Sequence, residues 1–399
     1  MKAGLDLGCI KRFDKLDGAY RQGLIHDDDL NRALQRILEA KVKVGMLDED
    51  ASRQLALSAR EELNRPETAE LALKAAEKTL VLLKNRNSTL PLDRSAAPSS
   101  AELQNLAYAE DPAKYASLLS QAKQLASSSD VTLLFLGLTE TVENEGKERQ
   151  SIELPAAQEK LLREVQAVSR KTVVVFLGGS AIASPWAQTH ADAILEAWYP
   201  GEAGHQAIAR ILFGDSNPGG RLPVTFYRST SDLPDYRSYA MKGRSYRFFN
   251  GTPIYPFGFG LSYTRFAYSG MTVSASSTAS PIDITLNLKN IGERAGDEVI
   301  QAYLTGPDEV PAAKRERMSL VGFKRIGLEP GEEVSGIQLR LDPSAYAVTR
   351  EDGRRAVLTG TYHLFVGGAQ PGVALPENPG IPILETRIKL TGPEVPLDK

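Results

Sequence analysis

TVVVFLGG at residues 172–179 indicates the fold class of this chain, together with VTLLFLGL at 131–138 and AILEAWYP at 193–200. These runs are aliphatic and β-branched without clean alternation, which is typical of strands buried on both faces. Helical spacing separates them, in AAQEKLLREVQAVSR at 156–170 and AGHQAIARILFG at 203–214. Strands that alternate with helices predict an α/β layer with a largely parallel sheet.

The pattern changes from about residue 264 onward. Stretches such as ITLNLKNIG at 284–292 and EVIQAYLTG at 298–306 have period-two character and are bounded by Gly, Pro and Asp. Alternation of this kind predicts strands with one buried face. The C-terminal part of the chain is therefore predicted to be an all-β domain of sandwich type.

The N-terminal part has helical spacing. An acidic HDDD sequence at residues 26–29 precedes apolar residues that recur mostly three or four positions apart, at Leu30, Leu34, Ile37, Leu38 and Val42. Acidic residues favour the N-terminus of a helix, and a glycine favours its end. The sequence predicts an amphipathic helix from Asp27 to Gly45.

Length and charge limit the classes of protein to which the chain belongs. With 399 residues and 42% hydrophobic content it should form two or three domains. Its 47 basic and 50 acidic residues nearly cancel, so we expect neither a nucleic acid nor a membrane as partner, and a neutral ligand fits better. No apolar run is long enough for a membrane span, and the N-terminal stretch has no secretory signal, so the location stays unassigned.

The acidic loop TETVENEGKERQSIELP at 139–155 is the first candidate for chemistry, because it directly follows the strand VTLLFLGL. In an α/β sheet, ligands bind beyond the carboxyl ends of the strands. A carboxyl group there could act as a general acid if its surroundings raised its pKa. A solvated acidic loop gives the same pattern, so the spacing by itself leaves both interpretations open.

Other site types have little support. The four histidines, His26, His190, His205 and His363, are scattered without metal-ligand spacing. No phosphate-binding or dinucleotide-binding glycine motif occurs between a strand and a helix, and Ser180 in GGSAIA is not in a nucleophile elbow. We therefore predict neither a metal nor a cofactor. Aromatic residues such as Trp198 and Tyr199 could stack on a sugar or could be buried.

Several segments, taken in order, resemble the C-terminal portion of glycoside hydrolase family 3. AGLDL at 3–7, QGLIHDDDLNRALQRILEAKVKVGMLD at 22–48 and ALKAAEKTLVLLKNRNSTLPL at 72–92 are similar to the end of that family's barrel and the following linker. VENEGKER at 142–149, WYPGEAGHQAIARILFGDSNPGGRLPVTF at 198–226 and RSYRFFNGTPIYPFGFGLSYT at 244–264 are similar to its α/β sandwich domain. The remainder resembles its fibronectin type III-like domain.

The resemblance implies an activity and a set of site residues. It implies retaining hydrolysis of β-glucosides or β-xylosides from the non-reducing end, with a small oligosaccharide or aryl glycoside as substrate. Glu145 matches the acid/base glutamate, with Glu143 as the second choice, and Arg149 matches a basic residue that binds substrate or orders the loop. The family's nucleophile aspartate would lie before the first residue, and Asp6 does not match it.

The resemblance also implies how the chain is divided. Residues 1–70 would be a helical remnant of a TIM barrel and a linker, residues 71–263 the α/β sandwich, and residues 264–399 the fibronectin type III-like domain. Without the nucleophile region, we expect little or no turnover by the chain itself. Two alternatives stay open: a non-catalytic carbohydrate-binding or scaffolding protein, and one half of a split enzyme. The partner would accordingly be another copy of the chain or a separate chain that supplies a barrel.

Overall fold

The structure is a computed structural model that describes residues 5–8, 15–48, 50, 65–94, 112–146, 148–311, 315–350, 353–373 and 381–397. The chain forms two compact units, Met1–Leu71 and Ala72–Lys399. In the described part of the chain, no helix is both long and apolar enough to span a membrane.

The described residues of the first unit form the helices α1 (Leu16–Arg21) and α2 (Asp27–Lys43) and the start of α3 (Pro66–Thr79). The backbone N–H of His26 donates to the Asp29 carboxylate at 3.1 Å, which closes the start of α2. Gly45 has φ of +70°, a conformation that glycine adopts without steric cost, so the helix ends two residues before the predicted position. Leu34, Leu38 and Val42 on α2 are exposed.

The second unit begins with an α/β layer around a four-stranded sheet of order β1-β4-β3-β2. Strands β2, β3 and β4 are parallel, whereas β1 pairs antiparallel with β4 at one edge. The predicted α/β sandwich with a largely parallel sheet is confirmed. The elements of this layer, in chain order, are α3 (Pro66–Thr79), β1 (Val81–Asn85), α4 (Pro112–Ser128), β2 (Thr132–Gly137), α5 (Ala156–Gln166), β3 (Thr172–Leu177), α6 (Pro185–His190), β4 (Ala193–Glu196), α7 (Gly204–Leu212) and α8 (Ser245–Phe248).

Both faces of the inner strands β3 and β4 are buried, which explains their uninterrupted apolar runs. The edge strand β2 differs from the prediction, because its first residues are only half-buried and Phe135 is 51% exposed. In β3, Val174 and Phe176 pack into one hydrophobic cluster with residues of α4 and α5, while Val173 and Val175 pack into another with residues of α3 and α7. The run 193–200 forms a strand only as far as Glu196, since Trp198 adopts φ of +56°. The extended backbone of β4 therefore ends just before the turn at Trp198.

A β-sandwich follows and confirms the predicted fibronectin type III-like architecture. One sheet has the order β13-β12-β7-β8, a second has β5-β6-β9, and a small third has β10-β11-β14. Apolar residues that alternate along β6 face the shared core, as the period-two pattern predicts. The strands are β5 (Phe266–Ser274), β6 (Ile282–Asn290), β7 (Gly296–Leu304), β8 (Ser319–Leu328), β9 (Glu333–Leu341), β10 (Val348–Thr349), β11 (Arg355–Val357), β12 (Gly360–Gly367), β13 (Ile383–Leu390) and β14 (Val395–Pro396).

Candidate active site

The C-terminal end of β2 is clamped where the acidic loop begins. The side chain of Gln158, on α5, accepts from the N–H of Gly137 and donates to its carbonyl, each at 2.7 Å. A Cβ at Gly137 would lie 1.7 Å from the carbonyl oxygen of Leu177, so only glycine fits between β2 and β3 here. The start of the loop is thus fixed by a buried amide and by close backbone packing.

Glu143 is the tightly held carboxylate of the loop. It accepts from the N–H of Gly179 at 3.2 Å and from the Ser180 hydroxyl, both just beyond the end of β3. The Tyr199 hydroxyl donates to the same carboxylate at 3.3 Å. Glu143 therefore joins the ends of three strands at one edge of the sheet.

Arg149, at the other end of the loop, contacts both Glu143 and Ser180. Its Nε lies 3.3 Å from a Glu143 carboxylate oxygen, and its Nη2 donates to the Ser180 hydroxyl at 2.8 Å and to the Ala181 carbonyl at 3.1 Å. The side chain is only 10% exposed, and its Nη1 is buried with no partner among the described residues. The donors of Arg149 are thus directed mainly into the protein.

Glu145 differs from Glu143 in its surroundings. It lies on the exposed turn between the two anchors, Glu143 and Arg149. It makes no hydrogen bond or ion pair with any residue that the structure describes. Both glutamates lie on the same anchored loop, but only the carboxyl group of Glu145 is open to an incoming molecule.

Glu153, at the end of the acidic loop, is fixed in its charged form. It accepts from the backbone N–H of Thr230 at 2.8 Å, from the Thr230 hydroxyl at 2.5 Å and from the hydroxyl of Ser151. Partial burial by itself raises the pKa of this carboxyl, but the hydrogen bonds from Ser151 and Thr230 outweigh it and lower the pKa to about 2. A carboxyl with so low a pKa is a poor general acid.

We expect Glu153→Gln to lower the free energy of unfolding at pH 7 by about 1 kcal/mol. This is less than the usual contribution of hydrogen bonds to a charged group, because solvent screens a partly exposed carboxylate. A lowered pKa contributes stability above the ordinary value of 4.5 and loses it as the pH falls toward about 2. The difference between wild type and variant in urea unfolding should therefore shrink as the pH falls below 4.5 and be nearly lost only at about pH 2 and below. The exposed Glu140 gives a matched Glu140→Gln control, and an equal effect of both substitutions at pH 7 would contradict the prediction.

A buried acid at the end of β4 is the functional candidate that sequence reasoning missed. Glu196 is fully buried, and burial raises its pKa well above the ordinary value, which favours the protonated form. One of its oxygens accepts from the Trp198 N–H at 3.1 Å, and the other has no partner among the described residues. The available signal was one acidic residue inside the apolar run 193–200.

His190 and His363 contact residues outside this cluster. His190 stacks on Trp186 with ring centroids 4.2 Å apart, and His363 lies 3.1 Å from a carboxylate oxygen of Asp308 in the β-sandwich. Among the residues whose placement is described, no group of three or more His, Cys, Asp or Glu side chains could hold a metal ion.

Comparison with family profiles identifies two consecutive domains. Residues 96–263 match the profile described as the glycosyl hydrolase family 3 C-terminal domain. Residues 298–370 match that of the fibronectin type III-like domain. The first match contains the acidic loop and all three strand ends of the candidate site.

Related proteins match most of the chain. A β-xylosidase of Formosa agariphila is 29% identical over 92% of the chain and 59% of its own length. The thermostable β-glucosidase B of Acetivibrio thermocellus is 29% identical over 95% of the chain and 56% of its own length. The crystal structure of a Bifidobacterium adolescentis β-glucosidase is 28% identical, with a TM-score of 0.76 over 100% of the chain and 64% of that protein. The chain thus spans less than three-fifths of the length of these two curated relatives.

Proposed function

We propose that this chain, which belongs to glycosyl hydrolase family 3, supplies the general acid for hydrolysis of β-xylosides or β-glucosides. The acid is Glu145. Its proton goes to the oxygen of the leaving group as the glycosidic bond breaks, and the deprotonated carboxylate then activates the attacking water. The substrate is a small oligosaccharide or an aryl glycoside, in keeping with the nearly balanced charge of the chain.

The observation that carries this proposal is the contrast between the two glutamates. Glu143 is bonded to Gly179, Ser180 and Tyr199, so its oxygens are occupied. The carboxyl of Glu145 is exposed on the same loop. A general acid must reach the substrate oxygen within hydrogen-bond distance, which favours Glu145.

Glu143 and Arg149 serve as positioning residues in this proposal. Arg149 is nine-tenths buried and bonded to the carbonyl of Ala181 and the hydroxyl of Ser180. Its guanidinium therefore orders the loop on which Glu145 is carried. This assignment favours loop ordering over direct substrate binding for Arg149.

Retaining hydrolysis needs a second carboxyl group about 5 Å from the first, to attack the anomeric carbon. We infer that this nucleophile comes from a barrel segment, carried either by a longer form of the protein or by a partner chain. Glu153 is unsuited to the role because both of its oxygens are bonded to Thr230 or Ser151. Hydrolysis then depends on the barrel, while proton delivery depends on this chain.

Affinity alkylation tests Glu145 without requiring turnover. The reagents are the N-bromoacetyl derivatives of β-xylosylamine and β-glucosylamine, in which nitrogen replaces the leaving-group oxygen and the reactive carbon lies two bonds beyond it, on the side of the general acid. An oxygen of Glu145 displaces bromide from this carbon and forms an ester. We expect one modified site, Glu145 by peptide mass spectrometry, with modification at least about tenfold faster than at exposed carboxyls, and slowed by free xylose or glucose.

The control is Glu140→Gln, which should be modified at Glu145 as fast as wild type because Glu140 is an exposed carboxyl of the same loop. Ester formation at Glu143 would transfer the acid role to that residue. Modification spread over Glu140 and Glu148, unaffected by free sugar, would overturn the proposal. Sugar binding without any alkylation would instead favour a carbohydrate-binding protein.

A further inference from the structure

Tyr199 is held firmly and yet remains largely exposed. Its side chain is 57% exposed, while its hydroxyl donates to Glu143 at 3.3 Å. The ring lies over Gly179, where an added Cβ would come within 2.8 Å of the ring carbon Cε2. A tyrosine that served only to fill the core would be buried, so the exposed ring calls for another explanation.

The turn that presents Tyr199 is strained. The preceding residue, Trp198, adopts φ of +56°, a conformation that bulky side chains rarely adopt. The backbone N–H of Trp198 donates to a carboxyl oxygen of Glu196 at 3.1 Å, and its ring Nε1 donates to the carbonyl of Thr79 at 3.1 Å. The Trp198 carbonyl accepts from the N–H of Gly178 at 3.2 Å.

The burial of Glu196, which accepts a hydrogen bond from this turn, is also unfavourable in free energy. Glu196 is fully buried with one oxygen unpartnered among the described residues, and burying a polar atom without a hydrogen bond is unfavourable. Strained backbone and unsatisfied buried groups tend to persist where function requires a fixed geometry. Here both features fix the position of one exposed aromatic ring beside the acidic loop.

We propose that Tyr199 is the platform on which the ring of the substrate's leaving group stacks, an inference that rests on the proposed function and extends it. The apolar C–H face of a pyranose, or the face of an aryl ring, packs against the exposed face of the phenol ring. Glu143, which holds the Tyr199 hydroxyl, lies two residues before Glu145. The stacked ring therefore lies on the side from which the proton is delivered.

Saturation-transfer NMR with phenyl β-xyloside and phenyl β-glucoside tests this platform. In wild type and in Tyr199→Phe, which keeps the ring, we expect transfer to the phenyl protons. In Tyr199→Ala we expect binding to weaken by about tenfold, as measured by titration of the transfer signal. Tyr236→Ala is the matched control, since Tyr236 is 84% exposed and lies on another loop.

The outcomes separate this inference from the general-acid proposal. Glu140→Gln should bind both phenyl glycosides as wild type does, because Glu140 is an exposed carboxyl to which neither proposal gives a role. Unchanged binding in Tyr199→Ala, or equal weakening in Tyr236→Ala, would overturn the platform while leaving alkylation of Glu145 intact. Absence of transfer in wild type would also overturn it. Circular dichroism spectra that coincide with wild type exclude misfolding of the alanine variant.

Discussion

Arg221→Met is expected to lower the free energy of unfolding by about 3–5 kcal/mol, because it leaves a buried carboxylate without its partner. Arg221 donates to Glu298 at 3.0 Å, and the two side chains are only 9% and 6% exposed. Tyr268 donates to the other Glu298 oxygen at 2.9 Å. Arg221 precedes the β-sandwich in sequence, so the pair joins the α/β layer to strand β7.

A double-mutant cycle separates the pair from its surroundings. Changing Arg221 and Glu298 together to methionine should restore much of the stability, because two apolar side chains leave no buried charge behind. The control is Lys78→Met, which removes a partly exposed ion pair with Asp297 and should cost less than about 1 kcal/mol. Urea unfolding followed by circular dichroism measures wild type, Arg221→Met, Glu298→Met, the double variant and Lys78→Met. A cost for Arg221→Met no larger than for Lys78→Met would contradict the prediction.

Arg149→Met should destabilise the protein by about 2 kcal/mol and slow alkylation at Glu145 by about ten- to hundredfold. The substitution removes the donors to Ser180 and to the Ala181 carbonyl and leaves Glu143 without its cation. The unpartnered Nη1 disappears at the same time, which limits the loss of stability. The alkylation rate falls because Glu145 is no longer held in one place.

Hydrogen exchange distinguishes loop ordering from direct substrate binding by Arg149. If Arg149 orders the loop, amides of residues 139–146 should exchange faster in Arg149→Met in the absence of any sugar. Arg170→Met is the control, since it removes an exposed ion pair with Asp130. Unchanged exchange together with slower alkylation would assign Arg149 to substrate binding, against our proposal.

The architecture of both domains could be predicted from the residue patterns. Strand β3 is an uninterrupted apolar run because both of its faces are buried, and β6 alternates because only one face is buried. Each pattern lies within a few consecutive residues, so it can be recognised in the sequence. The order of motifs determined the family and placed Glu145 in the loop after β2. The antiparallel direction of β1 could not be predicted, because its apolar run carries no information about which strand it pairs with.

The hydrogen-bond partners of each acid at the site became known from the folded structure and could not be predicted from the residue patterns. Glu143 and Ser180 are 37 residues apart in sequence, and Glu153 and Thr230 are 77 apart. No local pattern encodes such pairs, which arise because parallel strands and their loops meet at one edge of the sheet. The burial of Glu196, the left-handed turn at Trp198 and the exposed ring of Tyr199 depend on that same convergence, since hydrogen bonds and desolvation act through space and not along the chain.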